Sequence, residues 1–323
     1  MTTYTIPRAF VWRRVHSLMG LWLVLFLLEH LLTNSQAALL LGEHGGGFVR
    51  MVNWLHDLPY LPIIELFLIG TPVALHGLLG IKYLFTSKNN AKSSDGSTPS
   101  LKEYKRNKAY RWQRITSWIL LVGIICHVAK FRFIEYPTSI NEGTDSFYFV
   151  KISMDKGLYT VADRLGVELY DNHKIDAAKE LAKHPTEAPE QISGQTVFST
   201  QEEQLAVGIQ KLQQKRDWLQ ALTSKPISNT EVIAVTKSFG TASMMSVRDT
   251  FKSPIYVGLY TIFVLAACFH AFNGLWTFMI SWGLIFKRSA QKSMSHLCVA
   301  IMITIAFLGL AAVWGTYWIN LKY

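Results

Sequence analysis

Five long apolar runs dominate this chain, at roughly Val15–Leu41, Leu61–Phe85, Ile115–Phe133, Pro254–Phe286 and Leu297–Ile319. A helix that crosses a bilayer needs about 20 mainly apolar residues. In hydrocarbon every backbone polar group must be satisfied within the segment, so runs of this kind become helices. Polar or charged stretches separate them, which predicts an all-α membrane protein with five transmembrane helices. The first run is too long, and lacks the small-residue cleavage site, for a secretory signal peptide. Half of the 323 residues are apolar and only 17% are charged. A soluble two-domain enzyme of this length is excluded.

Orientation follows from lysine and arginine near the spans, which favour the cytoplasmic side. The N-terminus carries Arg8, Arg13 and Arg14, and the second connection Lys82, Lys88, Lys92, Lys102, Lys105, Arg106, Lys108, Arg111 and Arg114. The fourth connection adds Lys287, Arg288 and Lys292, against Asp95 and Glu103 as the only acids on that side. The first connection has only Arg50. The N-terminus is therefore expected in the cytoplasm and the C-terminus outside.

That orientation puts the third connection, residues 134–253, on the external side. The chain then divides into 1–133 with helices one to three, an external insertion at 134–253, and 254–323 with helices four and five. Loops beyond about 15 residues usually carry structure or function. Stretches such as Gly157–Leu169 and Gln201–Leu222 have mixed helical spacing, which predicts a small, partly helical insertion. The insertion holds 16 of the 22 acidic residues but only 13 of the 32 basic ones. The net charge of +10 is thus mainly a topology signal, and nucleic-acid binding is not expected.

Ten histidines sort by position. His44, His56, His173 and His184 fall in external loops, and His16 and His296 at cytoplasmic helix ends. His30, His76, His127 and His270 fall one each inside helices one to four. Ionisable side chains within a membrane are rare and mark functional sites by default. Four of them, one per helix, point to metal or haem ligation rather than to helix contacts.

Depth along the helices pairs them. His127 lies within roughly 5–8 Å of the outer charges Lys130 and Arg132, at about 1.5 Å per residue. His30 precedes the polar outer run Thr33-Asn34-Ser35-Gln36. His76 lies about 9 Å before the inner Lys82, and Trp276 and Trp282, which favour the interface, tip His270 inward. Two bis-histidine sites result, an outer one from His30 and His127 and an inner one from His76 and His270.

Two imidazoles are a poor cage for a bare zinc or copper ion. Haem iron already has four porphyrin nitrogens and needs only two axial groups, which facing helices of a bundle supply. Two filled axial positions favour electron transfer over oxygen binding. Gly80, Gly123 and Gly274 each lie four residues from a candidate ligand. They would admit either a flat macrocycle or a neighbouring helix. The three cysteines form no CxxC and no CxxCH, which excludes a disulfide scaffold, a cysteine-ligated zinc site and covalent c-type haem.

Several stretches resemble one family. Trp12-Arg13-Arg14-Val15-His16-Ser17-Leu18-Met19-Gly20 leads to Glu29-His30-Leu31-Leu32-Thr33-Asn34. Leu58-Pro59 runs through Glu65 to His76-Gly77, and His270-Ala271-Phe272-Asn273-Gly274-Leu275-Trp276 is followed by Ser281-Trp282-Gly283. Together they resemble the cytochrome b membrane subunit of bacterial succinate:quinone oxidoreductases, in the branch with a single five-helix, di-haem subunit. The likeness covers residues 1–133 and 254–323.

The resemblance implies two haems b with His30, His127, His76 and His270 as axial ligands. It implies a cytoplasmic iron–sulfur subunit and flavoprotein subunit that oxidise succinate or reduce fumarate, and a quinone, menaquinone among the candidates, near the outer side. The chain would work in the bacterial cytoplasmic membrane, surrounded by lipid, as the non-flavin subunit of an enzyme complex with no dehydrogenase activity of its own.

Glu65 would then be a proton-handling group at a quinone pocket or an interfacial carboxylate facing water. Arg13, Arg14 and His16 would meet inner-haem propionates or the docking subunit, or Arg13 and Arg14 would serve the positive-inside rule alone. Glu29 would neighbour His30 in sequence without sharing its face, and Cys126 and Cys268 read as packing residues. The insertion departs from compact relatives. It would cover the quinone side or offer a partner surface. Two other readings stand beside this one. A formate dehydrogenase or hydrogenase cytochrome b subunit would also carry two haems, and a proton-coupled transporter would use the histidines and Glu65 as a relay. No internal repeat favours the transporter.

Overall fold

The computed structural model describes residues 6–39, 45–86, 103–183 and 201–322. Leu41, His44, Lys88, Lys92, Asp95, Lys102 and His184 lie outside the described residues. The chain forms two compact units, Met1–Phe131 with Phe251–Lys322, and Arg132–Thr250.

In the first unit, five helices among the described residues are long and apolar enough to cross a membrane. These are α1 (Arg8–Leu39), α3 (Leu61–Thr86), α4 (Arg106–Ile134), α9 (Pro254–Ser281) and α10 (Arg288–Asn320). A short α2 (Gly46–His56) precedes α3 and buries Phe48; the sequence reading had only a connection there. The helices differ from the apolar runs at their ends. α1 starts at Arg8 and α4 extends back to Arg106, because long basic side chains reach back to water while their stems stay apolar. α9 stops at Ser281 rather than Phe286, because Gly283 takes a positive φ of 72° that closes the helix.

Contacts between the helices show that they alternate in direction. His16 and Trp22 of α1 meet His76 and Leu68 of α3, Gln113 and His127 of α4 meet His270 and Tyr260 of α9, and Val264 and Trp276 of α9 meet Gly309 and Gln291 of α10. Large apolar side chains such as Leu25, Phe67, Leu78, Ile125, Leu259, Ile303 and Phe307 are exposed on the outside of this unit. On a water-soluble protein such surface would be an aggregation hazard; facing lipid it carries no penalty. Small residues let the helices approach closely. A Cβ on Gly309 would fall 2.7 Å from Val264, and one on Gly315 would fall 2.7 Å from Ala38.

Three spanning helices contain π-helical turns, at Leu66–Gly70, Ala129–Ile134 and Ala311–Gly315. Given the alternating directions, all three lie toward the end of the bundle opposite the chain's N-terminus. Such a turn disturbs the carbonyl ladder, and in hydrocarbon those carbonyls must find other donors. Thr71 Oγ1 donates to Leu66 O at 3.0 Å, Trp22 Nε1 to Leu68 O at 2.5 Å, and Thr316 Oγ1 to Ala312 O at 2.6 Å.

The second unit is an α/β sandwich. Strands β1 (Thr138–Glu142), β2 (Asp145–Ser153), β3 (Glu168–Tyr170) and β4 (Glu231–Thr236) form a sheet in the order β1-β2-β4-β3. All its pairings are antiparallel. Helices α5 (Leu158–Leu165) and α8 (Phe239–Thr250) cover one face, and α6 (Asn172–Lys183) and α7 (Gln201–Thr223) the other. Of the helical stretches expected in this insertion, Gln201–Leu222 is present as α7, while Gly157–Leu169 is helical only to Leu165 as α5, and its end turns at Gly166 into β3. The sheet is the addition that helical spacing did not foresee. Side chains alternate between two cores: Val150, Ile152, Val232 and Ala234 enter one, while Phe149, Ile233 and Val235 enter the other.

Candidate functional site: two histidine pairs in the helix bundle

The four histidines inside the spans meet in two pairs. His30 of α1 and His127 of α4 have ring centroids 5.8 Å apart with planes crossed at 88°. His76 of α3 and His270 of α9 have centroids 6.1 Å apart, crossed at 81°. His16 lies level with His76, and 14 residues of α1 separate it from His30, so the pairs stand about 20 Å apart along the bundle at 1.5 Å per residue.

The spacing within each pair tests what they could hold. With metal–nitrogen bonds of about 2 Å and ring nitrogens about 1 Å from the ring centre, two imidazoles on opposite sides of one ion hold their centroids about 6 Å apart. Both pairs match that figure. Among the described residues no group of three or more His, Cys, Asp or Glu side chains is placed to hold a metal ion, so two-fold coordination is what the bundle offers. Those residues fit an ion whose other positions are already filled, as in haem.

Proton accounting adds a second test, because an imidazole that binds a metal through one nitrogen usually donates from the other. His76 Nδ1 lies 2.9 Å from the backbone oxygen of His16. A carbonyl can only accept, so Nδ1 carries the proton and Nε2 keeps its lone pair. His270 Nδ1 faces Thr116 Oγ1 at 3.4 Å and Ser117 Oγ at 3.5 Å. Both hydroxyls already donate to carbonyls of their own helix, Trp112 O at 2.9 Å and Gln113 O at 2.7 Å, which leaves their oxygens as acceptors. His127 Nδ1 lies 3.1 Å from the Tyr260 hydroxyl.

Amide side chains brace the backbone at two of the four positions. Asn34 Nδ2 donates to His30 O at 2.8 Å and Gln113 Nε2 to His270 O at 3.0 Å. Asn273 Nδ2 donates in turn to Gln113 Oε1 at 2.8 Å, tying α9 to α4 beside the pair. Phe26 stacks on His30 at 5.3 Å.

Of the glycines four residues from a candidate ligand, Gly123 alone is held by a close approach of a neighbouring helix, while Gly274 and Gly80 stand at ordinary contact distance. A Cβ on Gly123 would fall 2.4 Å from the Phe263 ring, on Gly274 3.6 Å from Gln113 Nε2, and on Gly80 3.6 Å from His16. Gly20, not singled out from sequence, is the one against a candidate ligand, since a Cβ there would fall 2.9 Å from His76.

The remaining candidates separate. His16 is not merely a helix-end residue: it stacks on His76 at 4.0 Å, with planes 12° apart. Its Nδ1 is buried with no hydrogen-bond partner among the described residues. Helix α1 begins well before the apolar run, which carries His16 two turns into the bundle. Arg14 donates to the Ser281 carbonyl at 2.5 Å and lies over the Trp282 ring at 5.2 Å, so it caps the end of α9 where cations are favoured. Trp282 Nε1 donates to Ser17 Oγ at 3.0 Å. Arg13 is exposed. Glu65 is half-buried, immediately before the first π-helical turn. Glu29 accepts from Thr33 Oγ1 at 2.8 Å. Cys268 is buried and Cys126 exposed.

Sequence reasoning missed Tyr260, Thr116, Ser117 and Gln113. A polar Thr-Ser pair inside an apolar run was the available signal for two of them. Tyrosine is too common near membrane interfaces for Tyr260 to stand out.

The fold and site thus define a multi-pass membrane protein whose spanning unit is all-α and holds two pairs of facing histidines at separate depths. The succinate dehydrogenase cytochrome b558 subunit of Bacillus subtilis (strain 168) is 22% identical to this chain over 309 residues, covering 95% of this chain and 97% of that protein. No family model matches the chain, and no solved structure matches it.

Proposed function

We propose that this chain is the di-haem b membrane subunit of a succinate:quinone oxidoreductase. The observation that carries the reading is the pair of facing imidazoles at each of two depths, with centroids 5.8 and 6.1 Å apart. The similarity to a cytochrome b558 subunit along nearly the whole chain supports the choice of complex. His30 with His127 would hold an outer haem b, and His76 with His270 an inner one. Haem supplies reversible one-electron chemistry, while the protein orients it and tunes its potential.

The chain's own residues do the holding. The backbone oxygen of His16 and the hydroxyls of Thr116 and Ser117 fix the inner rings with Nε2 turned to the partner position. Gln113 and Asn273 keep α4 and α9 in register there. The buried, unpartnered Nδ1 of His16 offers a donor to an inner-haem propionate. Arg14 is already engaged at the end of α9, so a structural role suits it better than a propionate contact, and exposed Arg13 suits a subunit contact.

The basic rim of the first unit would face the cytoplasm, where an iron–sulfur subunit and its flavoprotein partner would dock. Electrons would pass between that side and a membrane quinone, menaquinone among the candidates, near the outer end. The half-buried Glu65 would sit at that end as its proton-handling group. The chain would reside in the bacterial cytoplasmic membrane with its C-terminus and the 132–250 unit outside.

The electron donor separates this reading from a formate dehydrogenase or hydrogenase subunit. In native membranes, succinate is expected to reduce a substantial share of the chain's haem, and formate or hydrogen to reduce none above background. Reduction by formate or hydrogen alone, read from the b-type absorbance difference, would reject succinate:quinone oxidoreduction.

A further inference from the structure

We infer that Tyr260 is a positioning residue for the His30–His127 site, holding the His127 imidazole by its Nδ1 and tuning the potential of the group bound there. This rests on the haem reading above. Tyr260 lies on α9, six residues after its first residue, and its hydroxyl stands 3.1 Å from His127 Nδ1. The ring is caged by aromatic neighbours: Phe251 at 5.2 Å, Phe263 at 5.9 Å and Phe131 at 6.4 Å. Phe131 and Phe263 also touch the His127 ring, at 5.3 and 5.9 Å. Packing therefore fixes both the phenol and the imidazole, and the hydroxyl meets the ring nitrogen in apolar surroundings where an unmade hydrogen bond is costly.

The direction of this hydrogen bond follows from the site's chemistry. If His127 offers the Nε2 lone pair to iron, Nδ1 must carry the proton and donate it to the Tyr260 oxygen. A proton shared with an oxygen makes the imidazole a stronger electron donor, which favours ferric over ferrous iron and lowers the potential. The other site uses acceptors of a different kind. His76 donates to a main-chain carbonyl at 2.9 Å, which no side-chain substitution removes. At the His30–His127 site the acceptor at His127 Nδ1 is the Tyr260 hydroxyl, so a single oxygen atom can be deleted while the ring stays.

Tyr260→Phe is that deletion. In the purified holoprotein, a spectroelectrochemical redox titration should show the potential of one haem raised and the other unchanged. The shifted haem should be the one lost in His30→Ala. Hydrogen-bond partners of a metal-binding imidazole typically contribute 10–100-fold to affinity, so competition with an apo-haem acceptor should strip the same haem about tenfold faster. Ferric EPR on membranes gives a second reading that needs no purification. The strongly anisotropic signal expected of crossed imidazoles should change for that haem alone. A purely structural Tyr260 would leave the potential and the EPR signal where they are, and that result overturns the inference. An equal shift of both haems overturns it as well. Wild-type protein that binds no haem would overturn the underlying reading instead, so the two failures are distinguishable.

Discussion

His76→Ala is expected to cut the haem content of the purified chain from two per polypeptide to one. His76 faces His270 at 6.1 Å, and its Nδ1 is committed to the His16 backbone, so the ring presents its other nitrogen to the partner. Alanine would remove one of the two imidazoles proposed to hold the inner haem, together with the contact that orients it. The opposite pair stands about 20 Å away along α1 and shares no side chain with it, so its haem should remain. His30→Ala should remove the other haem, and low-temperature difference spectra of the two variants should show complementary bands. If both variants lost the same haem, the pairing would be wrong. Retention of both haems in His76→Ala would remove His76 from the ligand set.

The largest effect on folding is expected in the second unit. Arg248 of α8 makes two 2.8 Å hydrogen bonds to the carboxylate of Asp155, and its side chain is only 10% exposed. The same carboxylate accepts from the Gly157 backbone at 2.9 Å, just before α5. This pair therefore ties α8 to the turn between β2 and α5. Arg248→Leu would leave a partly buried carboxylate without its bidentate partner, and breaking a buried pair of this kind costs about 3 kcal/mol or more. Limited proteolysis of the full chain in detergent should then cut within 132–250 well before wild type is cut, while the helix bundle persists. Unchanged protection would show that the pair contributes little.

The spans could be read from sequence because membrane insertion needs only composition and length. Their ends could not, because α1 and α4 continue through basic residues whose apolar stems hide the continuation. That is why His16 reads as a terminal residue and yet stacks on His76. The insertion's sheet was hidden for a different reason. β2 and β4 are covered on both faces, so the inside-outside alternation of a half-buried strand is missing. Phe149 and Val150 are both buried, but in different cores. The apolar run Val232–Val235 of β4 is also too short to be told from buried helix by spacing alone.

The four histidines stood out because ionisable groups in a membrane are conspicuous. Their supports did not, since Thr116, Ser117, Gln113 and Tyr260 are ordinary residues until the fold brings them to a ring nitrogen or carbonyl. The π-helical turns have no compositional signature, so Leu66–Gly70 beside Glu65 emerges only from the backbone.

Each of the two facing histidine pairs is proposed to hold one haem b. Haem b per polypeptide, measured on natively purified protein from the dithionite-reduced pyridine spectrum, tests it most directly. The expected result is two. One haem would leave a pair without its assigned role, and none would contradict the account as a whole.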